Sequence, residues 1–442
     1  MNELTAIERF PRAELERLQL GRLRRQVARA AERVPLYRER LRAAGVTASD
    51  IRSLSDLSQL PFTAKDDFRA TYPFGLLAVP MEEVVRLHAS SGTTGKPTVV
   101  AYTRRDVELW AEVMARTLMM GGVGRGDVIH NAYGYGLFTG GLGFHYGGER
   151  VGATVIPISG GFTDRQLMAL TDFGSTVLCC TPSYALYLAE AVEEAGLAPK
   201  DLKLRVGFFG AEPWTEGMRD AIETRLNIMA LNIYGLSEVI GPGVSVECPE
   251  KRGMHVAEDC FLPEIVDPQT LQPVPPGVTG ELVFSTLTKE ALPLLRYRTR
   301  DLTSIDPAPC QCGRTLVRIG RITGRTDDML IIRGVNVYPS QIEHALLQVP
   351  DLEPHYLLVV RRDGALDTLE IQAECRAAVT ESGKEALSAL AAVVKRKVYE
   401  VIGPRLSYVL KVGTSVGLFM IAALVFAIAA AAILLIWSRS KF

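Results

Sequence analysis

The residues with the clearest chemical potential form a glycine- and hydroxyl-rich run, SSGTTGKPT, directly after the strand-like segment VVRLHA. Glycines and small hydroxyl residues allow backbone N–H groups to close around an anion, and the hydroxyls and the lysine add further donors. The run is not a Walker A motif, because that motif has Gly where Ser90 stands and Ser or Thr where Pro97 stands. A flexible surface loop is the alternative, but the preceding strand and the rigid proline favour a phosphate-binding loop. Its candidate ligands are Ser90, Ser91, Gly92, Thr93, Thr94, Gly95 and Lys96.

Short β-branched runs alternate with helical patterns around and after this loop, between about residues 84 and 265. The predicted strands are residues 128–133, 153–158, 176–180, 204–210 and 228–235, and the helices between them are residues 164–174 and 183–196. This alternation is typical of an α/β fold with a mostly parallel sheet covered on both faces. Pro- and Gly-rich turns from Glu264 to Ile319 predict a smaller β-rich subdomain. A small α+β segment follows a Gly-rich joint at residues 320–334.

Length and composition exclude several classes of protein. The chain has 442 residues, enough for two or three domains, and 48% hydrophobic residues exclude global disorder. A formal net charge of −1 gives no electrostatic argument for nucleic acid as a partner. Seven cysteines are too few, and odd in number, for a disulfide framework, and they favour a reducing compartment. The N-terminus has no secretory pattern, so we expect the chain to begin in the cytoplasm, where a homo-oligomer is compatible with the sequence.

The C-terminal region departs from these averages, because residues 412–437 contain no charge over 26 positions. As a helix this segment would be about 39 Å long, enough to cross a hydrocarbon core of about 30 Å. Lys411, Arg439 and Lys441 flank it, and Trp437 stands where an interfacial aromatic residue is expected. We therefore predict a transmembrane-like helix that anchors a cytoplasmic catalytic domain to a lipid bilayer. A buried core helix, or foreign sequence joined by a fusion or a shift of reading frame, is the alternative.

Further stretches point to a family: NAYGYGLFTGGLGFHYG, FFGAEPW, IYGLSE, LRYRTRDLT and GRTDDMLIIRGVNVYPSQIE. With the loop, and in this order, they resemble the phenylacetate–CoA ligase family of the adenylate-forming acyl-CoA synthetase superfamily, from about residue 5 to residue 402. The resemblance implies an adenylate-forming N-terminal domain (1–326) and a truncated α+β C-terminal domain (327–403), with the hydrophobic helix (412–437) beyond them.

The same resemblance implies a reaction. An ATP-dependent enzyme of this kind ligates phenylacetate, or a related aromatic acid, to coenzyme A through an acyl-AMP intermediate, and it releases AMP and pyrophosphate. A benzoate or an indoleacetate is an alternative acid. The alternative from another class is a membrane-tethered protein that binds a nucleotide or an acyl-adenylate and has impaired adenylation.

The resemblance also assigns roles to residues, with Lys96, Ser237 and Glu238 as the catalytic set. Residues 90–96 would wrap the β- and γ-phosphates, the hydroxyl of Ser237 would meet the α-phosphate, and Glu238 would hold Mg²⁺. A solvated loop acid is the alternative for Glu238, and a helix cap or turn residue for Asp301. The remaining nucleotide-binding candidates are Gly210, Ala211, Glu212 and Pro213 at the adenine, Tyr234 and Gly235 beside Ser237, Asp301 at the ribose hydroxyls, and Arg325 near the same nucleotide.

An acid pocket and a hinge complete the resemblance. Aromatic and small residues at strand ends would accept a flat ring on a short acid arm, although simple packing is the alternative for each of them. Asp327 matches the hinge about which the small C-terminal domain rotates between two poses, although a simple turn is the alternative. The acid-pocket candidates are Tyr135, Phe138, Ala211 and Ile233.

Four residues could hold a structural zinc ion. Cys310 and Cys312 form a tight pair, and six residues separate Cys248 from His255. Three sulfurs and one imidazole would make a closed tetrahedral site, and the pattern is similar to one found in some relatives of the family. In the alternative, His255 serves the acyl or nucleotide pocket and the cysteines are small apolar residues. The other thiols are taken as core or surface residues: Cys179, Cys180, Cys260 and Cys375.

One family feature is absent from the sequence. The superfamily uses a lysine in a Gly-Lys segment near the C-terminus for adenylation, and residues 403–442 contain no such segment. Lys411 has no matching context, and the pair Gly383-Lys384 opens a helical pattern away from the family position. Loss of such an electrostatic clamp costs about 3–4 kcal/mol, or about 10²- to 10³-fold in rate. We therefore expect adenylation to be impaired, while thioester formation from a supplied acyl-AMP survives.

Overall fold

The computed structural model of the chain describes residues 3–90, 97–327, 330–332, 335–337, 339–363, 366–402 and 408–413. The chain divides into two compact units between Ile322 and Thr323, called here the N-terminal unit and the C-terminal unit.

The α-helices of the described residues are α1 (Glu3–Ala6), α2 (Arg12–Arg33), α3 (Pro35–Ala44), α4 (Lys65–Ala70), α5 (Arg104–Met120), α6 (Gly140–Val151), α7 (Thr163–Thr171), α8 (Pro182–Glu194), α9 (Glu216–Leu226), α10 (Pro339–Leu346), α11 (Ala377–Glu381) and α12 (Lys384–Ile402). The strands are β1 (Val84–Ser90), β2 (Thr98–Thr103), β3 (Val128–Asn131), β4 (Thr154–Ile156), β5 (Val177–Cys180), β6 (Val206–Gly210), β7 (Met229–Leu236), β8 (Gly241–Glu247), β9 (Met254–Val256), β10 (Phe261–Val266), β11 (Gly280–Thr286), β12 (Tyr297–Thr303), β13 (Ile305–Asp306), β14 (Arg318–Ile319), β15 (Gly324–Arg325), β16 (Leu330–Ile332), β17 (Val335–Val337), β18 (Leu352–Asp363), β19 (Leu366–Cys375) and β20 (Tyr408–Gly413).

The N-terminal unit is built on a sheet of nine described strands in the order β13-β14-β9-β8-β7-β6-β5-β3-β4. Strands β3 to β7 are parallel, and one helix connects each to the next, as the alternating pattern predicts. From β7 onward the neighbours are antiparallel, so the sheet is parallel over only one half. The reason is local: residues 237–240 alone connect β7 to β8, and so short a connection can join only antiparallel strands.

Two smaller β structures accompany this sheet. Strands β10, β11 and β12 pair antiparallel and form the β-rich part predicted between residues 264 and 319. Strands β1 and β2 form a separate antiparallel hairpin around the glycine-rich run. The antiparallel pattern follows from the Pro- and Gly-rich connections, which are too short for crossover helices.

Polar caps fix where the helices begin. Thr103 and Asp106 cap α5 reciprocally, with the Asp106 amide donating to Thr103 Oγ1 at 3.1 Å and the Thr103 amide donating to Asp106 Oδ2 at 3.0 Å. Thr181 and Thr215 cap α8 and α9 in the same way through their side chains. Such caps satisfy amides that a helix leaves unpaired. Strands β5 and β6 therefore pass into α8 and α9 at defined residues, which fixes these two loops at the carboxyl edge of the sheet.

Each unit has its own hydrophobic core. Large side chains from α5, α6 and β6, namely Trp110, Phe144 and Phe208, are fully buried in the core of the N-terminal unit. In the C-terminal unit, the helices α10 and α12 bury apolar residues such as Ile342 and Val394 with those of β19. In this unit β18 and β19 are antiparallel, and β20 pairs parallel with β19. The small unit is therefore an α+β structure.

The predicted transmembrane-like helix at residues 412–437 is corrected by the structure. Among the described residues, no helix is both long and apolar enough to cross a membrane. Val412 and Gly413 belong to β20, where they pair with Ala373 and Glu374 of β19. An apolar run fits a buried strand as well as a helix, and here backbone pairing with β19 decides for the strand. Residues 414–437 of the predicted span lie outside the described residues, and neither the helix nor the lipid bilayer as a partner is supported.

Candidate active site

The β1–β2 hairpin holds the two ends of the glycine-rich run together. Ser90 ends β1 and lies opposite Thr98, which begins β2. The predicted ligands from Ser91 to Lys96 lie outside the described residues. Ser90 Oγ and Thr98 Oγ1 are both buried, and neither forms a hydrogen bond with another described residue. Two buried hydroxyls that have no partner in the described part of the chain therefore lie at the two ends of the run.

A short series of hydrogen bonds connects this hairpin to Ser237. The Ala89 amide and His88 Nδ1 each donate to the carbonyl of Leu137 at 3.0 Å, which attaches β1 to the segment before α6. Two residues further on, Thr139 Oγ1 lies 3.1 Å from Ser237 Oγ, and both side chains are buried. The sequence-predicted residues Ser90 and Ser237 are thus brought to neighbouring segments.

Residues 237–240 form the turn between β7 and β8, called here the β7–β8 turn. Glu238 is only 6% exposed, and no described residue forms a hydrogen bond or ion pair with its carboxylate. Its backbone carbonyl accepts a hydrogen bond from Lys289 Nζ at 3.1 Å, and the carbonyl of Ile240 accepts one from the hydroxyl of Tyr102 at 2.9 Å. The turn is therefore fixed through its backbone, which leaves the carboxylate available to a ligand.

Tyr234 and Asp301 are brought together although 67 positions separate them in the sequence. The Tyr234 hydroxyl donates to Asp301 Oδ2 at 2.5 Å, and Asp301 is buried. Both residues stand on strands, β7 and β12 respectively. A phenol that donates to a carboxylate fixes the direction of that carboxylate.

The predicted adenine-binding residues follow β6. A Cβ atom on Gly210 would lie 2.2 Å from the carbonyl oxygen of Ile233, so only glycine allows β6 and β7 to approach this closely. Ala211 has a φ of 71°, in the left-handed region, which turns the chain sharply after the strand. Glu212 Oε1 accepts a hydrogen bond from the Ser183 amide at 2.7 Å, so its carboxylate caps α8. Pro213 is exposed.

The predicted acid-pocket residues differ in their surroundings. The Tyr135 hydroxyl accepts a hydrogen bond from Asn131 Nδ2 at 2.7 Å and lies 3.3 Å from His145 Nδ1. Burial raises the pKa of Tyr135, so its hydroxyl stays protonated. Ile233 is buried in the core, and Phe138 is 44% exposed. Tyr135 is therefore held in place by hydrogen bonds, whereas Phe138 has room to contact a ligand.

The predicted hinge residue has a specific partner. Asp327 accepts two hydrogen bonds from Arg325, one from Nε at 2.9 Å and one from Nη2 at 3.0 Å. Both residues lie in the C-terminal unit, next to the boundary between Ile322 and Thr323. A bidentate Arg–carboxylate pair at this point gives the segment a defined geometry.

The four candidate metal ligands lie together at the far end of β8 from the β7–β8 turn. Their ligand atoms are all within 4.8 Å of one another: Cys248 follows β8, His255 lies on β9, and Cys310 and Cys312 lie in the loop before β14. Cys248 Sγ is 3.8 Å from Cys310 Sγ, and Cys312 Sγ is 3.4 Å from His255 Nε2. All the cysteines of the chain are free thiols. We call this group the thiol–imidazole cluster.

Burial and hydrogen bonding determine the protonation state and the tautomer of the His255 imidazole. Burial lowers the pKa of His255 to about 4, so the ring is neutral. Its Nδ1 lies 3.3 Å from the carbonyl of Leu316, which places the proton on Nδ1 and the lone pair on Nε2. Burial opposes ionisation of Cys312, but hydrogen bonds with Arg314 outweigh it and lower the pKa of that thiol.

Sequence reasoning missed several residues of the site, among them Thr139, Lys289 and Tyr102. Thr139 contacts Ser237, and the other two hold the carbonyls of the β7–β8 turn. A signal existed only for Lys289, a lone cation in a run otherwise rich in apolar and hydroxyl residues, FSTLTKEALPLL. The tertiary structure alone identifies the other two.

Each of the two units matches a known protein family. The AMP-binding enzyme family matches residues 22–288, and the AMP-binding enzyme C-terminal domain family matches residues 334–413. A solved structure of 2-hydroxyisobutyryl-CoA ligase, in the postadenylation state with 2-HIB-AMP, superimposes with a TM-score of 0.86 at 30% identity. The match covers 93% of this chain and 89% of that one. The adenylate-forming α/β fold is therefore confirmed.

Comparison with individual proteins identifies the more specific family within the AMP-binding enzymes. The chain is 57% identical over 384 residues to the phenylacetate-coenzyme A ligase of Thermus thermophilus, with 86% of each chain covered. It is 55% identical over 364 residues to the phenylacetate-coenzyme A ligase of Pseudomonas putida, with 82% of each covered. These relatives confirm the predicted acid–thiol ligase and do not favour the tethered binding protein. The chain belongs to the phenylacetate–CoA ligase family of AMP-binding enzymes, which couple ATP to the joining of an acid and coenzyme A through an acyl-AMP.

Proposed function

We propose that this chain ligates phenylacetate to coenzyme A, with Mg²⁺–ATP as the energy source. The use of ATP and coenzyme A follows from the family. The remainder is supported by the hydrogen bonds that lead from the β1–β2 hairpin through Leu137 and Thr139 to Ser237, because they connect the hairpin that flanks the glycine-rich run to the β7–β8 turn. We place the reaction in the cytoplasm, because the sparse and odd number of cysteines in the sequence favours a reducing compartment.

The first chemical step is a problem of charge. A carboxylate must approach an α-phosphate that is itself anionic, so oriented donors and cations must offset the repulsion. In this proposal residues 90–96 hold the β- and γ-phosphates, and the Ser237 hydroxyl donates to the α-phosphate. Thr139, 3.1 Å away, fixes the Ser237 hydroxyl in that direction. The carboxylate then attacks the α-phosphorus, and pyrophosphate leaves toward the glycine-rich run.

Glu238 is the proposed Mg²⁺ ligand. Magnesium is typically bound by one or two carboxylates together with substrate phosphates and water, which suits a single acidic residue at this position. The fit rests on the Glu238 carboxylate itself, which is nearly buried and has no partner among the described residues. When bound, the ion neutralises charge on the phosphates.

The nucleotide is assigned to residues on three segments. The turn at Gly210 to Pro213 supplies backbone groups and a flat surface for adenine, since Glu212 is already engaged at the start of α8. Asp301, oriented by Tyr234, accepts hydrogen bonds from the ribose hydroxyls. Arg325 is assigned to the same nucleotide.

The second step needs a different arrangement of the two domains, proposed as residues 1–326 and 327–403. Coenzyme A attacks the acyl-AMP, so its thiol must reach the acyl carbon once pyrophosphate has left. Asp327 and its bidentate partner Arg325 are the proposed hinge, because a few residues at element ends absorb such a rotation.

The identity of the acid is tested with a panel of phenylacetate, benzoate, indole-3-acetate and acetate. We expect kcat/KM for pyrophosphate release to be highest with phenylacetate and lower for benzoate by about 10- to 200-fold, the usual effect of one methylene. Pyrophosphate release and the corresponding acyl-CoA are both measured. A preference for acetate over all of the aromatic acids would refute the proposed substrate.

We assign a structural zinc ion to the thiol–imidazole cluster. Tetrahedral zinc with Zn–S bonds of about 2.3 Å places its sulfur ligands about 3.8 Å apart, and Cys248 and Cys310 have that spacing. The contact between His255 Nδ1 and the carbonyl of Leu316 is of the kind that a zinc-bound imidazole usually makes with its second ring nitrogen. The ion would connect β8, β9 and the loop before β14.

The zinc assignment predicts a metal content of about one zinc per chain. Cys310→Ser should lower the zinc content below half and reduce the thermal midpoint, because the ligand set is broken. Cys375→Ser, which replaces a buried thiol in the C-terminal unit, is the control and should keep the metal. Elemental analysis and differential scanning fluorimetry supply the two readouts. Purified wild-type chain without zinc would return the cysteines to a packing role.

A further inference from the structure

Lys289 is a cation that the reaction described above does not use. Its side chain is fully buried, in the connection between β11 and β12. The ammonium donates to the Glu238 carbonyl at 3.1 Å and lies 4.8 Å from the centre of the Tyr102 ring. A charged group loses its hydration when it is buried, so a buried lysine needs compensating contacts or a function.

The backbone around Lys289 is held rigidly. Asp106, at the start of α5, accepts hydrogen bonds from the amides of Glu290 at 2.6 Å and Ala291 at 2.9 Å. Gln26 Nε2, from α2, donates to the Lys289 carbonyl at 2.6 Å. Three hydrogen bonds with two side chains thus fix the segment that presents the ammonium, so its position is determined by the fold of the N-terminal unit.

The charges around the ammonium indicate what it supports. The carboxylates of Asp106 and Glu238 are the acidic groups that act on it, and His88 is the nearby imidazole. Asp106 already accepts several amide hydrogen bonds, whereas the Glu238 carboxylate has no partner among the described residues. The ammonium therefore brings positive charge into contact with the backbone of the β7–β8 turn.

We propose that Lys289 is the positioning residue of the adenylation step: it holds the β7–β8 turn through the Glu238 carbonyl and supplies positive charge beneath the phosphates. Tyr102 assists by holding the Ile240 carbonyl at the other end of the turn. This inference rests on the proposed function, because it assumes that the turn binds the α-phosphate and Mg²⁺. It assigns a role to a residue outside the family's motifs quoted above.

The two half-reactions distinguish this role from a merely structural one. Adenylation requires the metal and the departure of pyrophosphate, whereas attack of the thiol on a supplied acyl-AMP requires neither. We expect Lys289→Met to lower the single-turnover rate constant of pyrophosphate release by about 10²-fold, which is the effect of losing one charge-stabilising donor. Coenzyme A acylation from synthetic phenylacetyl-AMP should change by less than about threefold.

Two further variants keep the test decisive. Lys289→Gln retains a donor without the charge and serves where the methionine variant does not fold; it should show the same selective loss. Lys251→Met removes a lysine that pairs with Glu223 of α9 and leaves Lys289 and its contacts intact, so both half-reactions should stay near wild type. Equal losses in both half-reactions, or the same selective loss in Lys251→Met, would overturn the inference. A wild-type chain inactive with every acid would instead refute the proposed function.

Discussion

Replacing Glu238 by glutamine is expected to abolish Mg²⁺-dependent pyrophosphate release, by about 10³-fold or more. The amide has nearly the same shape as the carboxylate but lacks the charge that a divalent cation requires. The carboxylate pairs with no described residue, so the substitution breaks no salt bridge within the described part of the chain. The loss should therefore appear in chemistry rather than in stability. Stopped-time release of labelled pyrophosphate, with a Mg²⁺ titration, measures it.

A matched acidic residue provides the control for this variant. Glu223 is paired with Lys251 and lies on α9, away from the β7–β8 turn. Glu223→Gln should keep the wild-type rate and its Mg²⁺ dependence. Thermal midpoints of both variants should remain close to wild type. A Glu238→Gln enzyme that releases pyrophosphate at the normal rate would exclude the metal role.

The second large effect concerns the missing Gly-Lys segment. We expect the chain to adenylate phenylacetate about 10²- to 10³-fold more slowly than the Thermus thermophilus relative, because about 3–4 kcal/mol of transition-state stabilisation is lost. Lys411 is a poor substitute, since its Nζ forms an ion pair with Glu370 at 2.8 Å on the β19–β20 pair. Acylation of coenzyme A from supplied phenylacetyl-AMP should proceed at a rate within about tenfold of the relative.

A graft tests this expectation directly. Replacing residues 414–442 with the corresponding segment of the Thermus thermophilus relative should raise pyrophosphate release by 10²- to 10³-fold, the factor estimated for the clamp. Lys411→Ala is the control and should change the rate by less than about twofold, because an exposed ion pair contributes little. A graft with no effect would mean that adenylation in this chain does not depend on that lysine.

The parallel half of the large sheet could be predicted from the sequence. Runs such as residues 176–180 and 228–235 are apolar, β-branched and separated by helical patterns, which leaves few other arrangements. The antiparallel half is harder to predict, because the sequence of the β7–β8 turn resembles a phosphate motif. That resemblance gives no sign that the turn connects two antiparallel strands. The error at residues 412–437 has a related cause: hydropathy does not distinguish a strand such as β20 from the start of a helix.

Candidates for the site could be proposed from sequence where a motif is contiguous, and were missed where they depend on packing. Ser237 and Glu238 stand in one short stretch, so the sequence proposes them together. Thr139 and Lys289 reach the same turn from 98 and 51 positions away. No local pattern marks Thr139 as such a partner, and the only signal for Lys289 is its position as a lone cation in an apolar and hydroxyl-rich run, where a lysine is usually taken for a surface residue.

The β7–β8 hairpin has a mechanical consequence. One end carries Ser237 and Glu238, and the other end is Cys248 of the thiol–imidazole cluster. Seven residues of β8 span about 20 Å between them. If the end of β8 next to Cys248 loosened, the strand could slip against its neighbours, and a slip of one position would move both Ser237 and Glu238. Catalysis should then fail at temperatures where the remainder of the protein is still intact.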